Sequence, residues 1–135
     1  MRDRLILALD LDNLEKVKKL VGLLSGEVGM FKVGKQLFLH SGPLVVKLIH
    51  EMGGEVFLDL KFHDIPTTVA RAAIEATRLG VRMLKVHGNA AFAPVQQVVG
   101  GGPVPPVFAQ LVTNPVECRD YVLLIFPYAG NESRR

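Results

Sequence analysis

Five ionisable residues are spaced in a way that suits charge-driven chemistry: Asp10, Lys32, Asp59, Lys61 and Asp64. Asp59 and Lys61 stand two apart in EVFLDLK (55–61), a strand-like run, so a regular pleat turns them to the same side. Asp64 follows in the next loop, Lys32 lies at the end of VGMFKV (28–33), and Asp10 closes RLILALD (4–10). Parallel α/β folds place their active sites at such C-terminal strand ends. Alternating acids and amines let each charge sit between opposite charges, so the lysines stay protonated and the aspartates ionised. A carboxylate held beside Asp59 would meet an unfavourable field, which loss of carbon dioxide relieves. The adjacent ammonium of Lys61 would stabilise the carbanion left behind and then supply its proton. Such chemistry calls for no metal and no organic cofactor. A single Asp-x-Lys is more often a plain ion pair at a strand end, and Asp64 alone could cap a helix. Three successive strands that each end in a charge are more than packing requires.

The elements that must hold these groups alternate along the chain. RLILALD reads as a buried strand. Asp12 with Glu15 three residues later forms a plausible capping box, followed by Leu14, Val17, Leu20, Val21 and Leu24 at helical spacing. The strand 28–33 is closed by Gly34. A second helix spans Pro43 to Met52 with Leu44, Val45, Leu48, Ile49 and Met52 inward, and Gly53-Gly54 stops it. After the third strand, Pro66 suits a first helical turn. The helix there runs to about Leu79 with Val69, Ala72, Ala73 and Ala76 inward and Gly80 as terminator. VRMLKVH (81–87) is a fourth strand. The order βαβαβαβ with short connections implies a parallel sheet with right-handed crossovers.

Beyond Gly88 the character changes. Residues 90–99 suit a short helix, but Gly100-Gly101-Gly102-Pro103 and Pro105-Pro106 break regular structure. VFAQLV (107–112) and YVLLIF (121–126) are strand-like with no convincing amphipathic helix between them, and the tail NESRR is polar. The expected organisation is thus residues 1–88 as one patterned unit and 89–135 as a divergent, Gly/Pro-rich segment that is not a separate domain.

Composition sets the outer bounds. The 135 residues suit one domain, with 49% hydrophobic and 21% charged residues. The net charge of +3 is dispersed apart from the last residues, so no nucleic-acid stripe is present. The single cysteine, Cys118, allows no internal disulfide or cysteine zinc site and reads as an inert thiol. Asp3, Arg4 and Asp10 interrupt the early apolar run, which argues against a signal peptide. No apolar stretch is long enough to span a bilayer. The expectation is a cytoplasmic protein with no membrane or nucleic-acid partner.

ALD (8–10), FKVGKQLF (31–38), FLDLKFHDIPTTV (57–69) and VRMLKVH (81–87) resemble the blocks of the orotidine 5′-phosphate decarboxylase family over residues 4–88. The resemblance implies a (β/α)8 TIM barrel that acts as a cofactor-free homodimer on orotidine 5′-phosphate in pyrimidine biosynthesis, making UMP. It implies that Lys61 donates the proton to C6 of the pyrimidine and that Asp59 and Asp64 flank it as catalytic residues. Asp10 and Lys32 match positions that contact the ribose. Asp64 and Thr68 match positions that reach into the partner subunit's site. Thr67 stands where many relatives carry Asn. His63 and His87 read as structural, and His40 and His50 carry no signal.

The resemblance also has a limit. Such a barrel needs about 250 residues, and the Pro-Gly-Ile-Arg-like and Gly-Arg turns that hold the substrate phosphate in the family are not in this sequence. The expected fold is therefore α/β, a partial (β/α)8 TIM barrel of roughly four βα units plus an irregular C-terminal segment. The abrupt change after about residue 88 suggests a truncated product, for example through a frame change. Phosphate binding organises the reacting centre in this kind of catalysis, so activity would be impaired. An open half-barrel would also expose sheet edges and apolar faces, favouring association. Two other readings stand beside this one: an inactive barrel fragment, and a related sugar-phosphate decarboxylase or epimerase. The metal-dependent relatives need acidic ligands where this chain has Lys32.

Overall fold

A computed structural model describes residues 2–87, 107–111 and 120–125. The chain divides into two compact units, residues 1–60 and 61–135.

In the first unit a 3-10 turn at Arg2–Arg4 precedes strand β1 (Ile6–Ala8). Helix α1 (Leu14–Leu24), strand β2 (Met30–Gly34), helices α2 (Lys35–Ser41) and α3 (Leu44–Glu51) and strand β3 (Val56–Phe62) follow. The strands pair in parallel, β1 with β2 and β2 with β3. The register sets Ala8 opposite Lys32 and Gly34 opposite Asp59. Parallel pairing follows from the connections, since each passes through helix before the next strand begins.

The α1 stripe holds: Val17 and Val21 are fully buried, and Leu14, Leu20 and Leu24 are half-buried. The cap lies one residue later than the expected box. The Asn13 side chain accepts from the Lys16 backbone N–H at 2.9 Å, while the Asp12 carboxylate takes the Lys16 ammonium at 2.8 Å. Glu15 pairs with Lys18 at 3.0 Å instead of reaching back to the cap. In α3 the inward residues are Val45, Val46 and Ile49, with Leu48 and Met52 half-buried and Leu44 exposed. The expected face was rotated because Leu44, despite being apolar, opens the first turn at the solvent edge.

Two elements depart from expectation more clearly. The expected β1 is a buried strand of seven residues. Only three are extended, and Leu5 and Ile6 are exposed. An apolar run supplies the strand but not a cover for it. Helix α2 has no counterpart in the expected pattern. Its seven residues bury only Leu37 fully, too short a stretch to establish a period. Gly42, at φ 59°, separates it from α3.

Gly54 is closely packed. A Cβ there would lie 2.7 Å from Ile49 Cγ2 and 2.9 Å from two ring carbons of Phe31. Phe31 is fully buried, a contribution of about 1.5–3 kcal/mol for a side chain of this size. Gly54 therefore lets the chain enter β3 against the β2 aromatic without displacing it.

In the second unit, helix α4 (Pro66–Arg78) leads to strand β4 (Met83–His87) and packs on it. Pro66 occupies the first turn as expected, after an extended Ile65. Val69, Ala70, Ala73, Ala76 and Thr77 are buried; Ala72, expected inward, is half-buried. The Thr77 hydroxyl donates to the Ala73 carbonyl at 2.8 Å, which satisfies it inside the core. Gly80 ends the helix at φ 82°, where a residue with a Cβ is disfavoured.

Strands β5 (Val107–Leu111) and β6 (Asp120–Ile125) coincide with the two strand-like stretches. Both ladders are antiparallel: β6 pairs with β4 from Met83↔Leu124 to His87↔Asp120, and β5 pairs with β6. The parallel expectation concerns the strands of the βα repeat and holds for β1 to β3; it does not extend to β5 and β6, whose ladders are antiparallel. The expected helix at 90–99, Cys118 and the NESRR tail lie outside the described residues.

Candidate active site

Lys32 is the third of the five residues of β2, not its last, and is half-buried. Asp59 is the fourth of the seven residues of β3 and is 6% exposed. Their placement on adjacent parallel strands brings Lys32 Nζ to 3.7 Å from Asp59 Oδ2. That separation is a charge–charge contact longer than a hydrogen bond. It holds a carboxylate in a largely buried position while leaving the ammonium, 29% exposed, able to meet a ligand.

The register explains the space beside Asp59. Its neighbour on β2 is Gly34, where an added Cβ would meet nothing within 4 Å. From its place in the sequence Gly34 is only a strand terminator. Its spacing from Lys32, two residues along the strand, is the signal that places it beside the charged pair. Asp10 lies beyond β1 and is exposed, next to Leu9, whose backbone N–H donates to the Lys32 carbonyl at 2.9 Å. The Asp12 carboxyl in the same loop is held below the ordinary range, chiefly by the hydrogen bond from Lys16 and by its charge.

The second unit begins at Lys61, whose backbone departs from the strand around it. At φ 52° it is the one non-glycine residue in the left-handed region among the described residues. A Cβ-bearing residue there costs about 1–2 kcal/mol, and such outliers concentrate at functional sites. This corrects the pleat argument. Two-residue spacing sets Asp59 and Lys61 on one side only if the strand is regular, and β3 is not regular at Lys61. Lys61 is exposed, whereas Asp59 is buried.

Asp64 is exposed, and its Oδ1 accepts from the Ile65 backbone N–H at 2.7 Å. It is not the helix cap, since the cap residue of α4 is Ile65, which makes no side-chain cap bond. Thr67 and Thr68 lie in that turn and are exposed, and the Thr68 N–H donates to the Ile65 carbonyl at 3.1 Å. His63 is exposed. Among the described residues no helix is long and apolar enough to cross a membrane.

Comparison with known proteins agrees with the motif. A family model described as orotidine 5′-phosphate decarboxylase / HUMPS matches residues 3–102, past the last of the blocks recognised in the sequence. An orotidine 5′-phosphate decarboxylase of Syntrophotalea carbinolica is 54% identical over 114 residues, covering 78% of this chain and 47% of that protein. One from Geotalea daltonii is 50% identical over 98 residues, covering 73% and 41%. The chain therefore spans about half the length of the curated relatives it matches. Among solved structures, the orotidine 5′-phosphate decarboxylase of Lactobacillus acidophilus has a TM-score of 0.62 at 35% identity, covering 75% of this chain and 49% of that one. The orotidine 5′-monophosphate decarboxylase of Methanocaldococcus jannaschii, solved with the inhibitor BMP, has a TM-score of 0.64 at 29% identity, covering 76% and 49%. The α/β architecture is thus that of part of a (β/α)8 barrel, and the chain belongs to the orotidine 5′-phosphate decarboxylase / HUMPS family.

Proposed function

We propose that this chain carries the charged catalytic cluster of an orotidine 5′-phosphate decarboxylase, which converts orotidine 5′-phosphate to UMP without a cofactor. The observation that carries the reading is the buried Asp59 carboxylate, 3.7 Å from the Lys32 ammonium and two residues before Lys61. A substrate carboxylate seated over Gly34 would face Asp59 in a poorly hydrated place, where like charges repel most strongly. The C6–carboxylate bond breaks, carbon dioxide leaves, and the electron pair remains at C6. Lys61 stabilises that pair and protonates it, and solvent then restores the ammonium. By family resemblance Asp59 and Asp64 are the catalytic partners of Lys61, Asp10 and Lys32 bind the ribose, and Thr68 with Asp64 serves the site of a second subunit in a homodimer. The reaction belongs to pyrimidine biosynthesis in the cytoplasm.

β4 carries an antiparallel neighbour where a (β/α)8 barrel has a parallel one, and that observation favours the alternative of a barrel fragment without turnover. Incubating the purified chain with orotidine 5′-phosphate and following loss of the pyrimidine carboxylate by absorbance separates the two. Turnover above background that Lys61→Ala abolishes supports the enzyme. Equal background in both chains supports the fragment.

A further inference from the structure

A (β/α)8 barrel is all-parallel, so the strand that follows β4 would lie parallel to it. Here β4 is paired along all five of its residues with β6, running the opposite way, and β6 in turn holds β5. We propose that the β5–β6 ribbon is an intramolecular strap: it occupies the edge of β4 where a parallel barrel strand would sit and so blocks that edge to a strand from a second copy of this chain.

Two physical observations lead there. An unpaired strand edge presents a row of free N–H and C=O groups, which recruits any available strand. YVLLIF (121–126) is itself six apolar or aromatic residues with no charge and no proline, the composition of a segment that associates when left exposed. Pairing the two within one chain covers the β4 edge and the β6 segment together and leaves β5 as the outer strand. The register is fully specified, from Met83↔Leu124 to His87↔Asp120, as a dedicated contact requires. The inference rests on the ladder alone and is independent of the proposed activity.

The register gives a direct test. Lys85 lies opposite Val122, and directly opposed residues in an antiparallel pair have Cα atoms about 4.5–5.5 Å apart, within disulfide range. In a Cys118→Ser background, Lys85→Cys with Val122→Cys should oxidise to a disulfide within one chain. Lys85→Cys with Leu124→Cys, displaced by two residues, should not. Separately, Val122→Pro with Leu123→Pro removes one N–H toward each neighbouring strand, because successive N–H groups point to opposite edges. In that variant hydrogen exchange at residues 83–87 should quicken by about tenfold or more, with residues 31–34 as internal reference, and light scattering should show concentration-dependent oligomers. Val122→Ile with Leu123→Ile should leave both readouts unchanged. The proposal is overturned if the 85–122 disulfide forms only between chains or not at all, or if the proline variant leaves exchange at 83–87 unchanged. Should the proline variant unfold throughout, the disulfide result decides alone.

Discussion

Replacing Lys61 by glycine should leave the protein more stable than replacing it by alanine, although glycine is the poorer residue for a strand. In an ordinary extended segment glycine costs about 0.5–1 kcal/mol relative to alanine, because the unfolded chain has more freedom to lose. At φ 52° the comparison reverses. Alanine keeps a Cβ and its left-handed penalty of roughly 1–2 kcal/mol, and glycine does not. The two opposing terms leave glycine ahead by up to about 1.5 kcal/mol, with a mid-range value of about 0.75 kcal/mol. Both variants lack the amine, so lost ion pairs and lost proton donation cancel in the comparison. Urea unfolding of the two proteins, at equal slope, reads the difference as a displaced midpoint. Alanine equal to or better than glycine would show a regular extended backbone at residue 61. It would remove the argument that strain is stored there, and would restore the simple pleat in which Asp59 and Lys61 share a face.

Other outcomes follow from the packing and charges of the first unit. Gly54→Ala should destabilise by about 1–3 kcal/mol, because its methyl group collides with Ile49 and Phe31, whereas Gly34→Ala should stay within about 0.5 kcal/mol; thermal melts check both. Lys32→Met should cost about 1–3 kcal/mol by leaving the buried Asp59 carboxylate short of its cation, and adding Asp59→Asn should recover most of that loss in a denaturant double-mutant cycle. Asp12 has a folded-state value depressed by Lys16, so its stabilising contribution exists above the ordinary value of 3.8 and fades as pH falls through the lower folded value. Asp12→Asn should therefore be the less stable protein near neutrality and match the parent in strong acid.

Much of the architecture was written in residue spacing. The apolar periods of α1 and α4 and the runs of β2, β3 and β4 each announce one element, because burial on one face imposes a repeat. Asp59 and Lys61 could be singled out only together with Asp10, Lys32 and Asp64, because a single Asp-x-Lys reads as a plain ion pair while charges ending three successive strands exceed what packing requires. What spacing could not reveal has physical causes. Asn13 and Asp12 are both competent caps, and the choice between them depends on where Lys16 reaches. The short helix α2 is held by its surroundings rather than by its own pattern. The left-handed turn of Lys61 depends on tertiary context, since nothing about lysine favours it. YVLLIF says strand, but an apolar run has no direction, so its antiparallel pairing with β4 needed the fold itself.

The electrostatic role of Asp59 is tested most directly by steady-state kinetics of Asp59→Asn on orotidine 5′-phosphate, with Lys61→Ala as the inactive reference. If the buried carboxylate strains the bound substrate, removing its charge lowers kcat by about 100-fold or more while KM stays level or falls. A raised KM with kcat unchanged would make Asp59 a binding group only, and turnover in the parent chain no higher than in Lys61→Ala would deny the cluster any catalytic part.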